Sequence, residues 1–180
     1  MTGFTLWFTG HSGAGKTTIA ELVAPELERR GLLVEWLDGD VVRTHLTKGL
    51  GYSKDDRDTN IVRIGWVASR LTRHGAAVIV SAISPYEATR RKARELVEEF
   101  GAFVEVHVAT PVAECERRDV KGLYGKARAG EIPEFTGVSD PYEEPASPEL
   151  RIDTTEHEPA ESARLVVAKL EELGLLGVAA

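Results

Sequence analysis

The residues best suited to chemistry form one short stretch near the start of the chain, Gly10 to Thr17, with the sequence GHSGAGKT. A glycine, four residues and then Gly-Lys-Thr make the P-loop pattern of proteins that bind nucleotide phosphates. The glycines let the backbone curl around an anion, and the N–H groups of the loop then point at it. The predicted phosphate-binding residues are Gly10, His11, Ser12, Gly13, Ala14, Gly15, Lys16, Thr17 and Thr18.

Two side chains of this loop and one later carboxylate predict a magnesium–nucleotide site. In the P-loop pattern Lys16 reaches the β- and γ-phosphates, and the Thr17 hydroxyl binds Mg²⁺. Asp38 follows a second predicted strand and is a candidate to serve the metal through a water molecule. The sequence therefore predicts Mg²⁺ as the cofactor of a nucleotide substrate.

Asp40 is the candidate for acting on an acceptor hydroxyl group. It also follows the second predicted strand, and a strand-end carboxylate that faces the P-loop can accept the hydroxyl proton or hold it by a hydrogen bond. The alternative is that Asp40 only caps the next helix, as Asp often does. The two roles are compatible, and both stay open at this stage.

One segment after Asp40 indicates that the acceptor is anionic. Arg43 and Arg57 lie near Asn60 in the sequence, and arginine forks suit sulfate, phosphate or carboxylate. The alternative for these arginines is a solvated helix face paired with neighbouring aspartates. Tyr52 and Phe135 are candidates to clamp a flat base, although each fits a packing role in the core or lid equally well.

The elements that must position these residues alternate between strands and helices. Apolar runs predict strands at residues 4–8, 33–37, 76–82, 103–108 and, briefly, 150–152. Apolar residues at helical spacing between the runs predict the intervening helices. This order predicts an α/β, three-layer P-loop fold with a mainly parallel five-stranded sheet and helices on both faces. Ligands in such a sheet bind beyond the carboxyl ends of the strands, where the candidate residues fall.

Two segments outside the strands carry specific predictions. The stretch Ser84-Pro85-Tyr86-Glu87 predicts a helix start, with Ser84 as the cap, proline at the first helical position and glutamate at the third. Residues 120–148 fit no element, carry Lys121 and are too long for an ordinary connection. Such segments are often active-site lids, and the alternative is a solvated basic loop.

Composition narrows the class of protein. The length of 180 residues predicts a single domain over residues 1–180. The net charge of −7 predicts no nucleic acid as partner. The single cysteine predicts a reducing cytoplasmic location. No apolar run approaches the length of a membrane span. The chain lacks an Asn-Lys-x-Asp element for reading guanine and is small for a motor or helicase. A small-molecule phosphotransferase that uses ATP is the simplest prediction.

The chain resembles the adenylylsulfate (APS) kinases, and the resemblance extends from Leu6 to about Thr154. It rests on six motifs in the family's order, which are LDGD at 37–40, LGYS at 50–53, DRDTNI at 56–61, ISPY at 83–86, RDVKGLY at 118–124 and FTG at 135–137. The resemblance implies transfer of the ATP γ-phosphoryl to the 3′-hydroxyl of adenosine 5′-phosphosulfate. The products would be 3′-phosphoadenosine 5′-phosphosulfate (PAPS) and ADP, with Mg²⁺ required.

The resemblance also implies roles for individual residues. Asp40 would act near the 3′-hydroxyl, and Lys121, in the lid, would approach the phosphates. The implied APS-binding residues are Arg43, Tyr52, Arg57, Asn60, Ile83 and Phe135, with Tyr52 and Phe135 around the adenine. Arg118 would border the ATP adenine. Ser84 matches a serine often labelled a phosphoserine intermediate in the family, whereas the capping signature gives it a structural role and direct in-line transfer needs no intermediate.

The resemblance has departures, which leave other functions open. Thr59, Val62, Trp66, Glu87 and Gly125 stand where the family commonly has charged residues. A kinase for another anionic alcohol, or a nucleotide-binding module without catalysis, therefore remain as alternatives. Family members are often homodimers, and association with an ATP sulfurylase is a further implied partnership.

Overall fold

The computed structural model describes residues 3–176, so residues 1–2 and 177–180 of the predicted domain lie outside the described residues. Its five strands are β1 (Phe4–Thr9), β2 (Val34–Asp38), β3 (Ala77–Ser81), β4 (Ala102–Val108) and β5 (Leu150–Ile152). Its helices are α1 (Lys16–Arg29), α2 (Gly39–His45), α3 (Lys54–Arg73), α4 (Glu87–Glu98), α5 (Val112–Arg118), α6 (Leu123–Arg128) and α7 (Pro159–Glu172). Within residues 3–176, no helix is long and apolar enough to cross a membrane.

The strands form one sheet in the order β2-β3-β1-β4-β5, and every pairing in it is parallel. The predicted α/β fold with a five-stranded sheet is confirmed. Because β1 is central, the P-loop that follows it lies in the middle of the carboxyl edge. Segments that follow β2 and β3 lie on one side of the loop, and those that follow β4 and β5 lie on the other.

Alternation along β1 divides the core between the two faces of the sheet. Phe4, Leu6 and Phe8 belong to the apolar cluster that includes residues of α1 and α7. Trp7 belongs to the opposite cluster, with residues of α3 and α4. Helices α1 and α7 pack together on one side, and α3 and α4 pack together on the other, so the sheet is buried on both faces as predicted.

The predicted cap of α4 is wrong. The helix begins at Glu87, Tyr86 precedes it in extended backbone, and no side chain of the local sequence caps it. Ser84 cannot serve because its φ is +48° and its hydroxyl accepts from Trp7 Nε1 at 3.0 Å. The carboxylate of Glu143, 56 residues away in sequence, accepts the Glu87 N–H at 2.7 Å instead.

The predicted lid segment contains more regular structure than its sequence indicates. Helix α6 lies within it, and Thr136 and Asp140 form an isolated bridge. The helix begins after Gly122, and the Asp119 carboxylate accepts the N–H groups of Tyr124 and Gly125 at 3.0 and 3.1 Å. A carboxylate at the first turn replaces the missing local cap.

Candidate active site

The P-loop is held from three sides. A Cβ at Gly10 (φ +145°) would lie 2.4 Å from the Val108 carbonyl oxygen, so only glycine fits where the loop leaves β1. The Tyr124 hydroxyl donates to the Ser12 carbonyl at 2.8 Å, and the Thr110 hydroxyl donates to the Ala14 carbonyl at 2.9 Å. Contacts with the rest of the protein therefore fix the position of the loop.

Lys16 is buried at the first position of α1. Its Nζ donates to the carbonyl oxygens of Gly10 and His11 at 2.8 and 2.7 Å. Burial lowers the pKa of this amine to about 8. The ammonium needs an anion for compensation, since two neutral carbonyls replace little of its lost hydration, and phosphate oxygens in the loop would supply it.

Asp38 joins the P-loop to the strand edge. Its Oδ2 accepts from Thr17 Oγ1 at 3.3 Å and from Ser81 Oγ at 3.1 Å. Its Oδ1 accepts the Asp40 N–H at 2.9 Å, so Asp38 is the residue that caps α2. The alternative that Asp40 only caps this helix is therefore excluded. The adjacent hydroxyl and carboxylate are both oxygen ligands, which Mg²⁺ prefers.

Asp40 projects from the first turn of α2, and the lid residue Lys121 reaches it. The Lys121 ammonium forms an ion pair with Asp40 Oδ2. Both side chains are exposed, at 52% for Lys121 and 76% for Asp40. An exposed pair of this kind adds little stability, so its place beside the P-loop is better explained by chemistry than by folding.

Arg57 is a buried arginine that connects α3 to the lid. Its Nε donates to the Tyr52 carbonyl at 2.6 Å, and a terminal nitrogen donates to Thr136 Oγ1 at 2.7 Å. The other terminal nitrogen donates to the Glu134 carbonyl. The solvated-face alternative fails for this residue because its side chain is buried.

The other candidate residues for binding the acceptor lie on the same side of the site as Arg57. Arg43 donates to the Gly51 carbonyl at 2.9 Å, and its guanidinium lies 4.4 Å from the centre of the Tyr52 ring. Asn60 is buried, and its side-chain oxygen accepts from a threonine hydroxyl at 2.7 Å. Tyr52 is 57% exposed whereas Phe135 is 8% exposed, so the two rings differ. Phe135 packs in the core cluster and also lines the cavity, whereas Tyr52 presents an exposed ring to the cavity with the Arg43 guanidinium over it.

A cavity of about 430 Å³ brings most of the predicted residues together. Those that line it are Ser12, Gly13, Gly15, Lys16, Thr17, Thr18, Asp38, Asp40, Arg43, Tyr52, Arg57, Asn60, Ile83, Ser84, Lys121 and Phe135. The predicted residues that do not line it are Gly10, His11, Ala14 and Arg118. The first three belong to the P-loop itself. Arg118 donates to Thr154 Oγ1 at 2.8 Å, and that hydroxyl donates to the Ala14 carbonyl at 3.1 Å.

Comparison with known proteins decides the family. The model of the adenylylsulphate kinase family matches residues 2–153. This chain belongs to the adenylylsulphate kinase family. The resemblance that the sequence motifs indicated is thereby confirmed.

Members of the adenylylsulphate kinase family match over nearly the full chain. An adenylyl-sulfate kinase of Picosynechococcus sp. is 57% identical over 174 residues, which cover 97% of each chain. The structure of the Mycobacterium tuberculosis APS kinase in complex with AMPPNP and APS superposes with a TM-score of 0.91 at 45% identity, and covers 94% of this chain and 98% of that one. The structure of a hexameric APS kinase from Thiobacillus denitrificans superposes with a TM-score of 0.77 at 41% identity, and the match covers 98% of this chain and 30% of that one.

Several residues that shape the site were missed by sequence reasoning. Tyr124 and Thr136 lie in recognised motifs, but nothing in their spacing predicts that they bind the P-loop and Arg57. Arg90 and Glu143 hold the cavity wall behind Ser84. An arginine in a helical, charge-rich stretch gives no local signal of burial, so these contacts depend on the tertiary structure.

The Tyr142 ring contacts both His11 and His107, whose ring centres lie 4.7 and 5.8 Å from its own. Burial lowers the pKa of both imidazoles, and that of His107 to about 4. The Tyr142 hydroxyl and Thr9 Oγ1 are hydrogen-bonded at 2.9 Å. At neutral pH this uncharged aromatic group packs the end of the lid segment against the strands that carry the P-loop.

Proposed function

We propose that this chain transfers the γ-phosphoryl group of ATP to the 3′-hydroxyl of adenosine 5′-phosphosulfate, which yields PAPS and ADP. One observation carries the proposal. The Asp40–Lys121 pair lies in the same cavity as the P-loop residues Lys16 and Thr17. A carboxylate, a lysine ammonium and a phosphate cradle in one cavity are the groups that phosphoryl transfer to a hydroxyl needs.

The strand order supports a separate side of the cavity for each substrate. Arg118 and Thr154 follow β4 and β5 and would border the ATP base. Asp40 follows β2 and Ile83 follows β3, on the opposite side of β1. There, the cations Arg43 and Arg57 would meet the phosphosulfate, and the Tyr52 ring would stack on the acceptor adenine. The γ-phosphate at the P-loop then lies between base and acceptor, as in-line transfer requires.

The residues have separate tasks in the transfer. Asp40 would orient the 3′-hydroxyl and accept its proton as the oxygen attacks phosphorus. Lys16 would stay on the β- and γ-phosphates, and Lys121 would leave Asp40 to stabilise charge on the transferring group. Ser84 is 1% exposed, and its hydroxyl is engaged with Trp7. That engagement supports direct transfer over a phosphoserine intermediate.

Mg²⁺ would be held between the nucleotide phosphates, the Thr17 hydroxyl and water bound to Asp38. The 3.3 Å contact between these two side chains places two oxygen ligands together, which fits the ion. When bound, the ion neutralises charge on the phosphates.

We further propose that the protein is a cytoplasmic homodimer that works with an ATP sulfurylase. Light scattering of purified protein, alone and mixed with that enzyme, tests both associations.

The test of the reaction is ADP release from Mg-ATP by purified protein, with and without micromolar APS. We expect APS-dependent release in the native protein and its loss in Asp40→Ala. The matched control is Glu28→Ala, which removes an exposed carboxylate of α1 that does not line the cavity. Normal turnover by Asp40→Ala would remove the role given to that carboxylate.

The alternative function, a kinase that acts on another anionic alcohol, was motivated by the departures from the family pattern, and the structure removes that motivation. None of the departures at Thr59, Val62, Trp66, Glu87 and Gly125 lines the described cavity. Glu87 instead pairs with Arg90 at 2.6 Å. If the native protein binds ATP and releases no ADP with APS, a panel of other anionic alcohols would be tried next.

A further inference from the structure

Arg90 is the most deeply buried charged side chain among the described residues, at 1% exposed. It lies in the first turn of α4, on the side that faces the sheet. Its Nε lies 3.0 Å from Glu105 Oε1 on β4, and a terminal nitrogen lies 2.6 Å from Glu87 Oε2. Two carboxylates therefore compensate the buried charge, which would otherwise be costly.

The remaining donors of Arg90 bind backbone rather than carboxylate. One terminal nitrogen donates to the Ser84 carbonyl at 2.7 Å, and the other donates to the Glu143 carbonyl at 2.8 Å. Ser84 belongs to the cavity wall after β3, and Glu143 lies near the end of the lid segment. A single rigid guanidinium thus joins a wall of the site to the lid.

The wall needs such support because its backbone is unusual. Ser84 has a φ of +48°, a left-handed conformation that is unfavourable for a non-glycine residue. Three contacts maintain it. Trp7 Nε1 donates to the serine hydroxyl at 3.0 Å, Thr9 Oγ1 donates to the Ile83 carbonyl at 2.7 Å, and Arg90 holds the Ser84 carbonyl.

The end of the lid segment is fastened at the same place. The Glu143 N–H donates to the Pro85 carbonyl at 2.8 Å, and the Glu143 carboxylate accepts the Glu87 N–H at 2.7 Å. Arg90 closes this arrangement by binding the Glu143 carbonyl. The wall, the start of α4 and the end of the lid therefore share one set of hydrogen bonds.

We propose that Arg90 is a positioning residue for the acceptor site, which fixes the wall at Ile83–Pro85 and the lid end at Glu143 in one relative position. It touches no substrate and acts through the backbone it holds. The proposal rests on the proposed function, because it assumes that the β3 side of the cavity receives APS. Weakening Arg90 then raises the KM for APS and leaves the KM for ATP nearly unchanged.

The same helix offers a matched control. Arg94 lies one turn further along α4 and pairs with Glu149 at 2.8 Å and with Glu105 at 3.4 Å. It also donates to the Phe103 carbonyl at 3.3 Å. Arg94 therefore belongs to the same ionic cluster, yet it contacts neither the cavity wall nor the lid end.

The experiment compares Arg90→Lys with Arg94→Lys. Each variant keeps a positive charge beside Glu105 and loses the planar fork, so both are expected to fold with lowered Tm. The three N–H groups of one ammonium cannot serve all four partners of Arg90, which are two carboxylates and the carbonyls of Ser84 and Glu143. We expect the KM for APS to rise about tenfold in Arg90→Lys, the scale of one charge-assisted hydrogen bond. We expect the KM values for both substrates to stay near native in Arg94→Lys. Arg90→Met, which removes the charge as well, should raise the KM for APS further.

The outcomes separate this proposal from the proposed function. If the native protein shows no APS-dependent turnover, the proposed function fails. That result comes from the native protein alone and does not depend on the Arg90 variants. If the native protein turns over APS and the two lysine variants lose Tm alike with native KM values, Arg90 is only structural and the positioning role is overturned. Equal increases in the KM values for ATP and APS in Arg90→Lys would also overturn it.

Discussion

Gly137→Ala tests the contact between the lid and the P-loop. Gly137 has a φ of +89°, and a Cβ there would lie 2.8 Å from His11 Nδ1 and 3.0 Å from Val112 Cγ2. Gly130 belongs to the same segment with a φ of +77°, but a Cβ there meets nothing within 4 Å. Gly130→Ala therefore carries only the backbone strain, whereas Gly137→Ala carries strain and crowding against the P-loop.

The two effects have separate magnitudes. A left-handed alanine costs about 1–2 kcal/mol, so Gly130→Ala should lower the free energy of unfolding by that amount. Overpacking adds about 1–3 kcal/mol at Gly137. A domain of this size loses roughly 2–4 °C of Tm per kcal/mol, so we expect Gly137→Ala to melt several degrees below Gly130→Ala. Because His11 must move, the KM for ATP should rise in Gly137→Ala alone.

Thermal unfolding and steady-state kinetics on the two variants and the native protein provide the measurement. Equal Tm values for the two variants would show that the lid does not press on the P-loop at Gly137. A native KM for ATP in a destabilised Gly137→Ala would show that His11 moves without disturbing the phosphate site. Either result would refute this reasoning about the lid.

Four further predictions follow from the site. Lys121→Met should lose about 100-fold or more in kcat and keep a Tm within about 2 °C of native, since its ion pair with Asp40 is exposed. Ser84→Ala should retain measurable turnover with a lowered Tm, whereas an essential phosphoserine would abolish turnover. Because the pKa of Lys16 is about 8 and phosphates bind its charged form, the KM for ATP should rise above that pH. The pKa of His107 is lowered to about 4. Its contribution to stability is therefore complete above its ordinary pKa and is lost as the pH falls from about 6.5 toward 4. His107→Asn should make the fall in Tm over that pH range less steep.

The sequence predicted the parts of the fold that depend on local pattern. The apolar runs that predicted β1 to β5 match the observed strands within about one residue. The pattern is clearest for β1 and β3, which are buried along their whole length and are therefore mostly apolar. Gly31, with a φ of +81°, follows the end of α1, where glycine is a common helix-ending residue. The lid helix α6 was missed since its six residues carry too few turns for a periodic signal.

The candidate residues that line the cavity were easier to predict than the residues that hold them in place. Lys16, Asp40 and Arg57 belong to motifs whose chemistry is visible in their residue types. The support at Ser84 was misassigned, since Ser-Pro-x-Glu is a capping signature in any sequence context. Only the fold brings the Glu143 carboxylate to that helix start and leaves the Ser84 hydroxyl to Trp7.

Glu143 caps α4 in place of Ser84, and this explains why the cavity wall and the lid segment are structurally connected. A local serine cap would make the start of α4 independent of the lid. A cap supplied by Glu143 makes the same start depend on the end of the lid segment, and Arg90 extends that dependence to the Ser84 carbonyl. Arg57 makes a second connection, from α3 to Thr136 within the lid. The acceptor side of the cavity is therefore completed by lid contacts at two places, so that ordering the lid also shapes the site in which APS would bind.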